Sequence, residues 1–252
     1  EAVNQHGKGS LIGATIYVTL EPCSTHGQTP PCTSAIINAG FARVVYGARD
    51  PNPKHVGAAE AILQAAEITV EKEVCAYECD QLIRAFTKIQ ETGLPWVILK
   101  SAISLDGCIT RPPGESQWLS SQESREIVHQ LRHQTDAVIT GGNTARKDDP
   151  SLTIRSSGLP NKTQPWRMII TQGKKEQLPQ DLKLFNDCHK DRTLVQENGD
   201  ISTALRKLAN LGCNSVLVEA GGPLMASFLK QQLADEVVVF YAPIVTGGPD
   251  SG

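Results

Sequence analysis

Residues 17–32, YVTLEPCSTHGQTPPC, decide the fold of the first part of the chain. The residues before Pro22 are mostly β-branched, aromatic or apolar, which predicts a strand that the proline ends. Cys23 therefore lies at the end of a strand, while Cys32 precedes a short helical run that stops at a glycine. Because a helix N-terminus favours thiolates, this placement indicates a metal site built on the two cysteines. A disulfide, or two unrelated thiols in the core, is the alternative.

The composition describes a soluble globular protein with a small substrate. The chain has 252 residues, 40% hydrophobic and 20% charged, which allows one large domain or two of ordinary size. No stretch of about eighteen consecutive apolar residues is present, so we expect no membrane span. An odd number of cysteines, seven, favours reduced thiols and a cytoplasmic location. A net charge of −3 and a pI near 6.1 argue against a nucleic-acid partner. The sequence leaves open whether the protein forms a homo-oligomer.

Strand and helix patterns alternate along the chain, which predicts mostly parallel sheets with helices on their faces. A strand over residues 43–47 precedes Asp50 and Asn52, so both follow its carboxyl end, where α/β proteins bind ligands. A glycine and a proline later separate a long helix from a new strand. We therefore predict two domains, over residues 1–90 and 95–252.

Further patterns fall in the second domain. The predicted strands cover residues 96–100, 136–142, 166–171, 215–219 and 236–241, and the predicted helices cover 121–134 and 202–211. Gly221 and Gly222 open another helix, where glycine lets the backbone approach a ligand and free N–H groups suit a phosphate. Residues 173–199 are polar, and no function follows from them.

The motifs E-P-C and G-x-T-P-P-C, which end at Cys23 and Cys32, resemble the deaminase half of the bifunctional riboflavin-biosynthesis deaminase/reductase family. The resemblance implies zinc held by these cysteines and by a histidine that would lie just before residue 1. It implies Glu1 as the catalytic proton carrier, and Gln28, Asp50 and Asn52 as substrate contacts. Thr25 and Gln28 depart from the family pattern, which has a histidine and a basic residue there.

The stretch L-K-x-A-x-S-L-D-G, then G-E-S-Q-W and the loop over residues 143–155, resemble the reductase half of the same family. That half has a dihydrofolate-reductase-like fold and uses NADPH. The substrate contacts that the resemblance implies are Lys100, Ser116, Arg132, Leu152, Arg155 and Glu219. The implied cofactor contacts are Ala102, Asp106, Trp118, Thr144, Asp148, Thr171, Gly221 and Gly222. Arg146 and Lys147 depart from the family pattern, and Thr171 stands where relatives usually carry aspartate.

We therefore expect an α/β protein with a cytidine-deaminase-like domain followed by a dihydrofolate-reductase-like domain, lacking both ends of the family's longer chains. The first domain would deaminate a phosphorylated pyrimidine with zinc hydroxide, and the second would reduce its ribose with NADPH. Two alternatives remain. In the first, the deaminase domain is degenerate and only the reductase is active. In the second, the cysteines belong to a non-catalytic zinc module with four protein ligands.

Overall fold

The computed structural model describes residues 11–26, 29–52, 57–110, 119–155, 158–160 and 162–247. The chain divides into two compact units, residues 1–92 and 93–252. Each unit has its own parallel sheet and its own hydrophobic core, as the α/β prediction requires. Among the described residues, no helix combines the length and the apolar character needed to span a bilayer.

In the described part of the first unit, three strands form a parallel sheet in the order β1-β2-β3, with helices packed against it. Its elements are β1 (Thr15–Leu20), α1 (Cys32–Ala39), β2 (Arg43–Ala48), α2 (Ala58–Ala65), β3 (Thr69–Glu71) and α3 (Ala76–Thr92). The central strand β2 is buried along nearly its whole length, which is typical of a parallel strand covered on both faces. The helix α1 ends at Gly40, whose φ of 77° is left-handed and favours glycine.

Cys79 in α3 and Cys75, which directly precedes this helix, differ in their exposure to solvent. Cys79 is buried against Gly47 of β2, where an added Cβ atom would stand 2.6 Å from the Cβ of Cys79. Cys75 is exposed. Glycine at position 47 therefore allows α3 to pack closely on the sheet. All seven cysteines are free.

Among the residues of the second unit that the structure describes, six strands form a sheet in the order β7-β6-β5-β8-β4-β9, and all the registered pairs are parallel. Its strands are β4 (Trp96–Ile103), β5 (Ala137–Gly141), β6 (Trp166–Ile170), β7 (Thr193–Gln196), β8 (Ser215–Val218) and β9 (Glu236–Tyr241). Its helices are α4 (Gln122–Gln134), α5 (Gly142–Asp148), α6 (Lys183–Asn186), α7 (Ile201–Asn210) and α8 (Gly222–Lys230). The side chain of Ser121 caps α4, because its hydroxyl accepts a hydrogen bond from the Ser124 N–H.

The strand order reverses direction beside β5. From β5 the chain proceeds outward to β6 and β7, and it then returns to place β8 on the other side of β5. In open parallel sheets, such a reversal leaves a crevice at the carboxyl ends of the two strands, and ligands bind there. Because α5 follows β5 directly and α8 begins shortly after β8, both helix starts lie at this crevice.

Two predictions for the second unit differ from the structure by more than a residue at an element's end. β4 continues to Ile103, because its pairing with β9 extends as far as Ile103 and Tyr241, so Lys100 lies within the strand and not at its end. Residues 142–148, predicted as a glycine and a loop, form the helix α5. The short polar run has little apolar periodicity, which is why the sequence pattern missed this helix.

Candidate functional sites

Cys23 and Cys32 meet at the carboxyl end of β1. The N–H of Cys32, the first residue of α1, donates a hydrogen bond to the Cys23 Sγ over 3.2 Å. The N–H of Thr33 donates to the Cys23 carbonyl oxygen over 3.2 Å, which fixes the turn between strand and helix. Partial burial, and then a hydrogen bond with the Cys23 side chain, raise the pKa of the Cys32 thiol. The structure therefore brings the two predicted ligands together without a disulfide.

Two thiols in this position fit zinc by their chemistry. Zinc favours thiolate ligands, and the N–H groups at the start of α1 stabilise negative charge on sulfur. A bound cation would also reverse the upward pKa shift of Cys32, because coordination deprotonates a thiol. Within the described ranges, no three His, Cys, Asp or Glu side chains converge as a metal-binding group. Glu1 and Gln28, the predicted catalytic and phosphate-binding residues, lie outside the described residues.

A buried carboxylate that the sequence prediction missed lies next to this pair. Glu21 is only 2% exposed, and its Oε2 accepts a hydrogen bond from the Asp50 N–H over 3.2 Å. The Asp50 Oδ1 in turn accepts from the Asn52 N–H over 2.9 Å. Glu21 Oε1 is buried and has no hydrogen-bond partner in the described part of the chain. The parallel pairing of β1 with β2 thus places Glu21, Asp50 and Asn52 at one edge of the sheet. The sequence feature that could have indicated a role for Glu21 is its position as a charged residue directly after an apolar strand.

In the second unit, Glu219 is the centre of a largely buried ion cluster. The Arg132 guanidinium donates to both Glu219 oxygens, with Nε–Oε1 at 2.5 Å and Nη2–Oε2 at 3.0 Å. Lys100 Nζ lies 3.6 Å from Glu219 Oε2, and the Lys100 and Glu219 side chains are 18% and 11% exposed. Burial alone would raise the pKa of Glu219, but the charges and hydrogen bonds of Arg132 and Lys100 lower it. Three predicted substrate residues are therefore in one cluster, with Glu219 held as a carboxylate.

Residues 149–155 form a loop, here called the 149–155 loop, whose backbone is held by side chains from outside it. The contacts are Arg167 to the Ser151 carbonyl (3.0 Å), Arg132 to the Thr153 carbonyl (2.9 Å), Gln164 to the Ile154 N–H and carbonyl (2.8 and 3.2 Å), and the Arg155 N–H to His129 Nδ1 (3.3 Å). Arg155 itself is exposed, whereas the Leu152 side chain is buried in the core at 3% exposure. Leu152 can therefore meet a ligand only through its backbone.

Burial, followed by the charges of Arg132 and Arg155, lowers the pKa of His129. Its Nδ1 accepts a hydrogen bond from the Arg155 N–H, so this nitrogen carries no proton and a neutral ring is protonated on Nε2. The sequence prediction gave His129 no role. Its position one turn before Arg132 on α4 was the only signal available.

A cleft lies where β5, β6 and β8 end, and we call it the glycine cleft. Its lining includes Gly141, Gly142, Thr144, Thr171, Gly221 and Leu224. Of the predicted cofactor residues, Thr144, Thr171 and Gly221 line it, and Gly222 follows as the first residue of α8. Gly173 and Gly199 also line it, although the sequence prediction found no function in residues 173–199. Closely approaching backbone and the N–H groups at the start of α8 suit a dinucleotide phosphate.

Other predicted cofactor residues do not line this cleft. Ala102, Asp106 and Asp148 are not among the residues that form the cleft. The Asp106 carboxylate accepts hydrogen bonds from the N–H groups of Thr246 (3.1 Å) and Gly247 (2.8 Å), so it ties the turn after β4 to the segment after β9. Hydrogen bonds, first from Ser104 and then from Thr246, lower the pKa of Asp106. Ser116 and Trp118 lie outside the described residues.

Comparisons with known proteins match both units. Residues 95–252 match the family model for the RibD C-terminal domain, and residues 1–48 match the cytidine and deoxycytidylate deaminase zinc-binding region. The riboflavin biosynthesis protein RibD of Escherichia coli is 36% identical over 95% of this chain and 73% of its own. The Aquifex aeolicus protein of the same name is 37% identical over 98% of this chain and 73% of its own.

Solved structures agree with these matches. Form 1 of Acinetobacter baumannii RibD superposes with a TM-score of 0.87 at 34% identity, over 100% of this chain and 76% of that chain. A Thermotoga maritima diaminohydroxyphosphoribosylaminopyrimidine deaminase/5-amino-6-(5-phosphoribosylamino)uracil reductase has a TM-score of 0.81 at 33% identity, over 94% of this chain and 70% of that chain.

The fold and the sites define a class of α/β enzyme in which a deaminase-type zinc-binding region precedes a reductase-type unit with a glycine-lined cleft. Identity above 30% over more than two thirds of the relatives' length narrows this class to one family. The chain belongs to the RibD family of riboflavin biosynthesis proteins.

Proposed function

We propose that this chain catalyses two steps of riboflavin biosynthesis, with residues 1–90 as the deaminase domain and residues 95–252 as the reductase domain. The substrate is a phosphorylated diaminopyrimidine, which loses an amino group before its ribose is reduced to a ribityl chain. The observation that carries the proposal is the presence of two separate constellations, the thiol pair in the first unit and the Glu219 cluster beside the glycine cleft in the second.

In the deaminase domain, the Cys23 and Cys32 thiolates and an upstream histidine would hold zinc. When bound, zinc supplies a hydroxide nucleophile at neutral pH. Glu1 would carry the proton from the attacking water to the leaving amine. Asp50 and Asn52 would orient the pyrimidine, since the β1–β2 pairing places them at the same sheet edge as Cys23. The buried Glu21 would hold the Asp50 backbone in position through their hydrogen bond.

In the reductase domain, the glycine cleft would hold NADPH, which supplies a hydride when bound. Glu219 is two residues before Gly221, so the ion cluster and the cleft lining are joined by a few residues of chain. Arg132 fixes the Glu219 carboxylate, which leaves the neighbouring Lys100 ammonium to donate hydrogen bonds to the sugar. The exposed Arg155 guanidinium, at the end of the anchored 149–155 loop, would bind the substrate phosphate.

Two activity measurements on two variants test this assignment. Deamination is followed by ammonia release, and reduction is followed by NADPH absorbance with the deaminated compound as substrate. Cys23→Ser should lose zinc and deamination but keep reduction near wild type. Glu219→Gln should lower reductase kcat/KM by at least about tenfold, because it removes the charge that organises Lys100 and Arg132.

Matched controls separate site effects from general damage. Cys75→Ser removes an exposed thiol of the first unit, and Glu126→Gln removes an exposed carboxylate of α4, and both should retain both activities. A well-folded Cys23→Ser protein that keeps stoichiometric zinc would contradict the metal assignment. A well-folded Cys23→Ser protein that loses both activities together would show that the two reactions share one site.

A further inference from the structure

The glycine cleft contains a single charged side chain among the described residues that line it, and this residue is Arg146. The remaining lining side chains are neutral or absent, as in Asn143, Gln172 and the glycines. A nicotinamide dinucleotide phosphate carries negative charge at two places, the pyrophosphate and the 2′-phosphate of the adenine ribose. The position of one cation therefore indicates which of these phosphates the protein binds by charge.

Arg146 lies in the last turn of α5, on the β6 side of the cleft. Its Nη1 donates a hydrogen bond to the neutral Asn143 Oδ1 over 3.0 Å, the only hydrogen bond that the guanidinium makes within the described residues. A Cβ atom added to Gly142 would stand 3.5 Å from this Nη1 and 2.9 Å from Thr171 Oγ1. The guanidinium and the Thr171 side chain therefore border the same point at the start of α5.

The opposite side of the cleft is formed by the start of α8. A Cβ atom added to Gly221 would stand 3.8 Å from Thr144 Oγ1, and one added to Gly141 would stand 3.6 Å from Cδ2 of Leu224. This side is the crevice between β5 and β8, where N–H groups at a helix start receive a pyrophosphate without help from a cation. A dinucleotide whose pyrophosphate lies here extends its adenine ribose toward the end of β6.

The residue after β6 determines whether the site favours a ribose with a free 2′-OH or one with a 2′-phosphate. In doubly wound nucleotide sites, a carboxylate at the end of the strand beside the glycine turn binds the ribose 2′-OH of NAD, whereas a nearby arginine accommodates the 2′-phosphate of NADP. Here the position after β6 holds the buried Thr171, a neutral hydroxyl. It brings no negative charge that would repel a 2′-phosphate, and Arg146 lies beside it.

We propose that Arg146 binds the 2′-phosphate of the adenine ribose and makes the glycine cleft select NADPH over NADH. The proposal rests on the proposed reductase function. Asn143 orients the guanidinium by accepting one N–H, and the planar fork keeps further N–H groups for paired hydrogen bonds to phosphate oxygens. Because arginine stays protonated throughout the working pH range, the selection does not depend on its titration.

Calorimetric titration with four ligands tests the assignment without any turnover. NADPH and adenosine 2′,5′-bisphosphate carry the 2′-phosphate, whereas NADH and 5′-AMP lack it. Arg146→Ala should raise the Kd of the first two ligands by about ten- to hundredfold, the range for removing a charge-assisted contact, and change the Kd of the other two by less than about twofold. Arg146→Lys should give an intermediate loss for the 2′-phosphate ligands, because it keeps the charge but not the fork.

Lys147→Ala is the matched control. It removes the same charge from the adjacent exposed residue, which does not line the cleft, and should leave all four Kd values within about twofold of wild type. Equal weakening of NADPH and NADH in Arg146→Ala would place the guanidinium at the pyrophosphate and overturn the proposal, as would an unchanged NADPH Kd. Wild-type protein that binds neither dinucleotide would overturn the reductase function itself, and this proposal with it.

Discussion

Removing Asp187 should destabilise the second unit strongly, because its partner Arg167 is buried. The Arg167 side chain is 1% exposed, and its Nη1 and Nη2 donate to the two Asp187 oxygens over 2.5 and 2.8 Å. Deleting one partner of a buried pair leaves an uncompensated charge and typically costs about 3–5 kcal/mol. Asp187 is 23% exposed, so water can replace part of the lost contact. We therefore expect Asp187→Ala to lower the free energy of unfolding by about 3 kcal/mol.

Urea unfolding monitored by tryptophan fluorescence measures the change in the free energy of unfolding of the second unit. All three tryptophans, Trp96, Trp118 and Trp166, belong to residues 93–252, so their emission reports the second unit alone. The matched control is Asp191→Ala, which removes an exposed carboxylate a few residues away and should change the free energy by less than about 0.5 kcal/mol. An Asp187→Ala protein within about 0.5 kcal/mol of wild type, with an unchanged urea slope, would refute the reasoning.

A double variant separates the ion pair from ordinary packing. Arg167→Met removes the buried charge but also leaves the Ser151 and Leu184 carbonyls without their donor. In Arg167→Met/Asp187→Ala neither charge is left unpaired, so the combined loss should fall short of the sum of the two single losses by about 1–3 kcal/mol. Additive losses would mean that the two side chains do not interact as the structure shows. Because Arg167 holds the 149–155 loop, both single variants should also raise the reductase KM for substrate.

Two further predictions concern Gln28, the predicted phosphate contact of the deaminase, and His129, which holds the 149–155 loop from α4. Gln28 lies outside the described residues, and Gln28→Lys should lower the deaminase KM by about fivefold, because it adds a charge to a neutral phosphate contact. An unchanged KM would mean that residue 28 does not face the phosphate. The pKa of His129 is lowered in the folded state, so the unfolded chain binds more protons and acid weakens the fold as pH falls from about 7 through the folded pKa of His129. Tryptophan-monitored unfolding at pH 7 and pH 5 should therefore show a larger loss in wild type than in His129→Gln, and equal losses would exclude this group.

The sequence predicted those features that depend on neighbouring residues. The strand, the proline and the helix start that place Cys23 and Cys32 lie within one short stretch, and the structure brings the two thiols together. The family resemblance implied Glu219 and Arg132 separately as substrate contacts, but their pairing joins residues 87 positions apart. That contact exists because α4 and the end of β8 converge, and no local pattern encodes the order in which strands assemble.

The same limit explains the residues that the sequence missed. Gly173 and Gly199 flank a polar stretch without periodicity, and they reach the cleft only because both follow strands at the carboxyl edge of the sheet. Arg146 was visible only as a departure from the family motif. Its role depends on α5, a helix of seven residues with too little apolar pattern to be predicted.

Both candidate sites lie at the carboxyl edge of a parallel sheet, and several positions that depart from the family pattern lie on the segments that follow this edge. In a parallel sheet all strands deliver their carboxyl ends to one edge, so the ligand-facing residues lie on the segments that follow the strands. Thr25 and Gln28 follow β1, and Arg146 follows β5 on α5. Of the described positions among these, neither Thr25 nor Arg146 contributes a side chain to a hydrophobic core, so substitution there can change ligand recognition without changing the packing of either sheet. Altered ligand preference, and not altered stability, is therefore the effect to expect from substitution at Thr25 and Arg146.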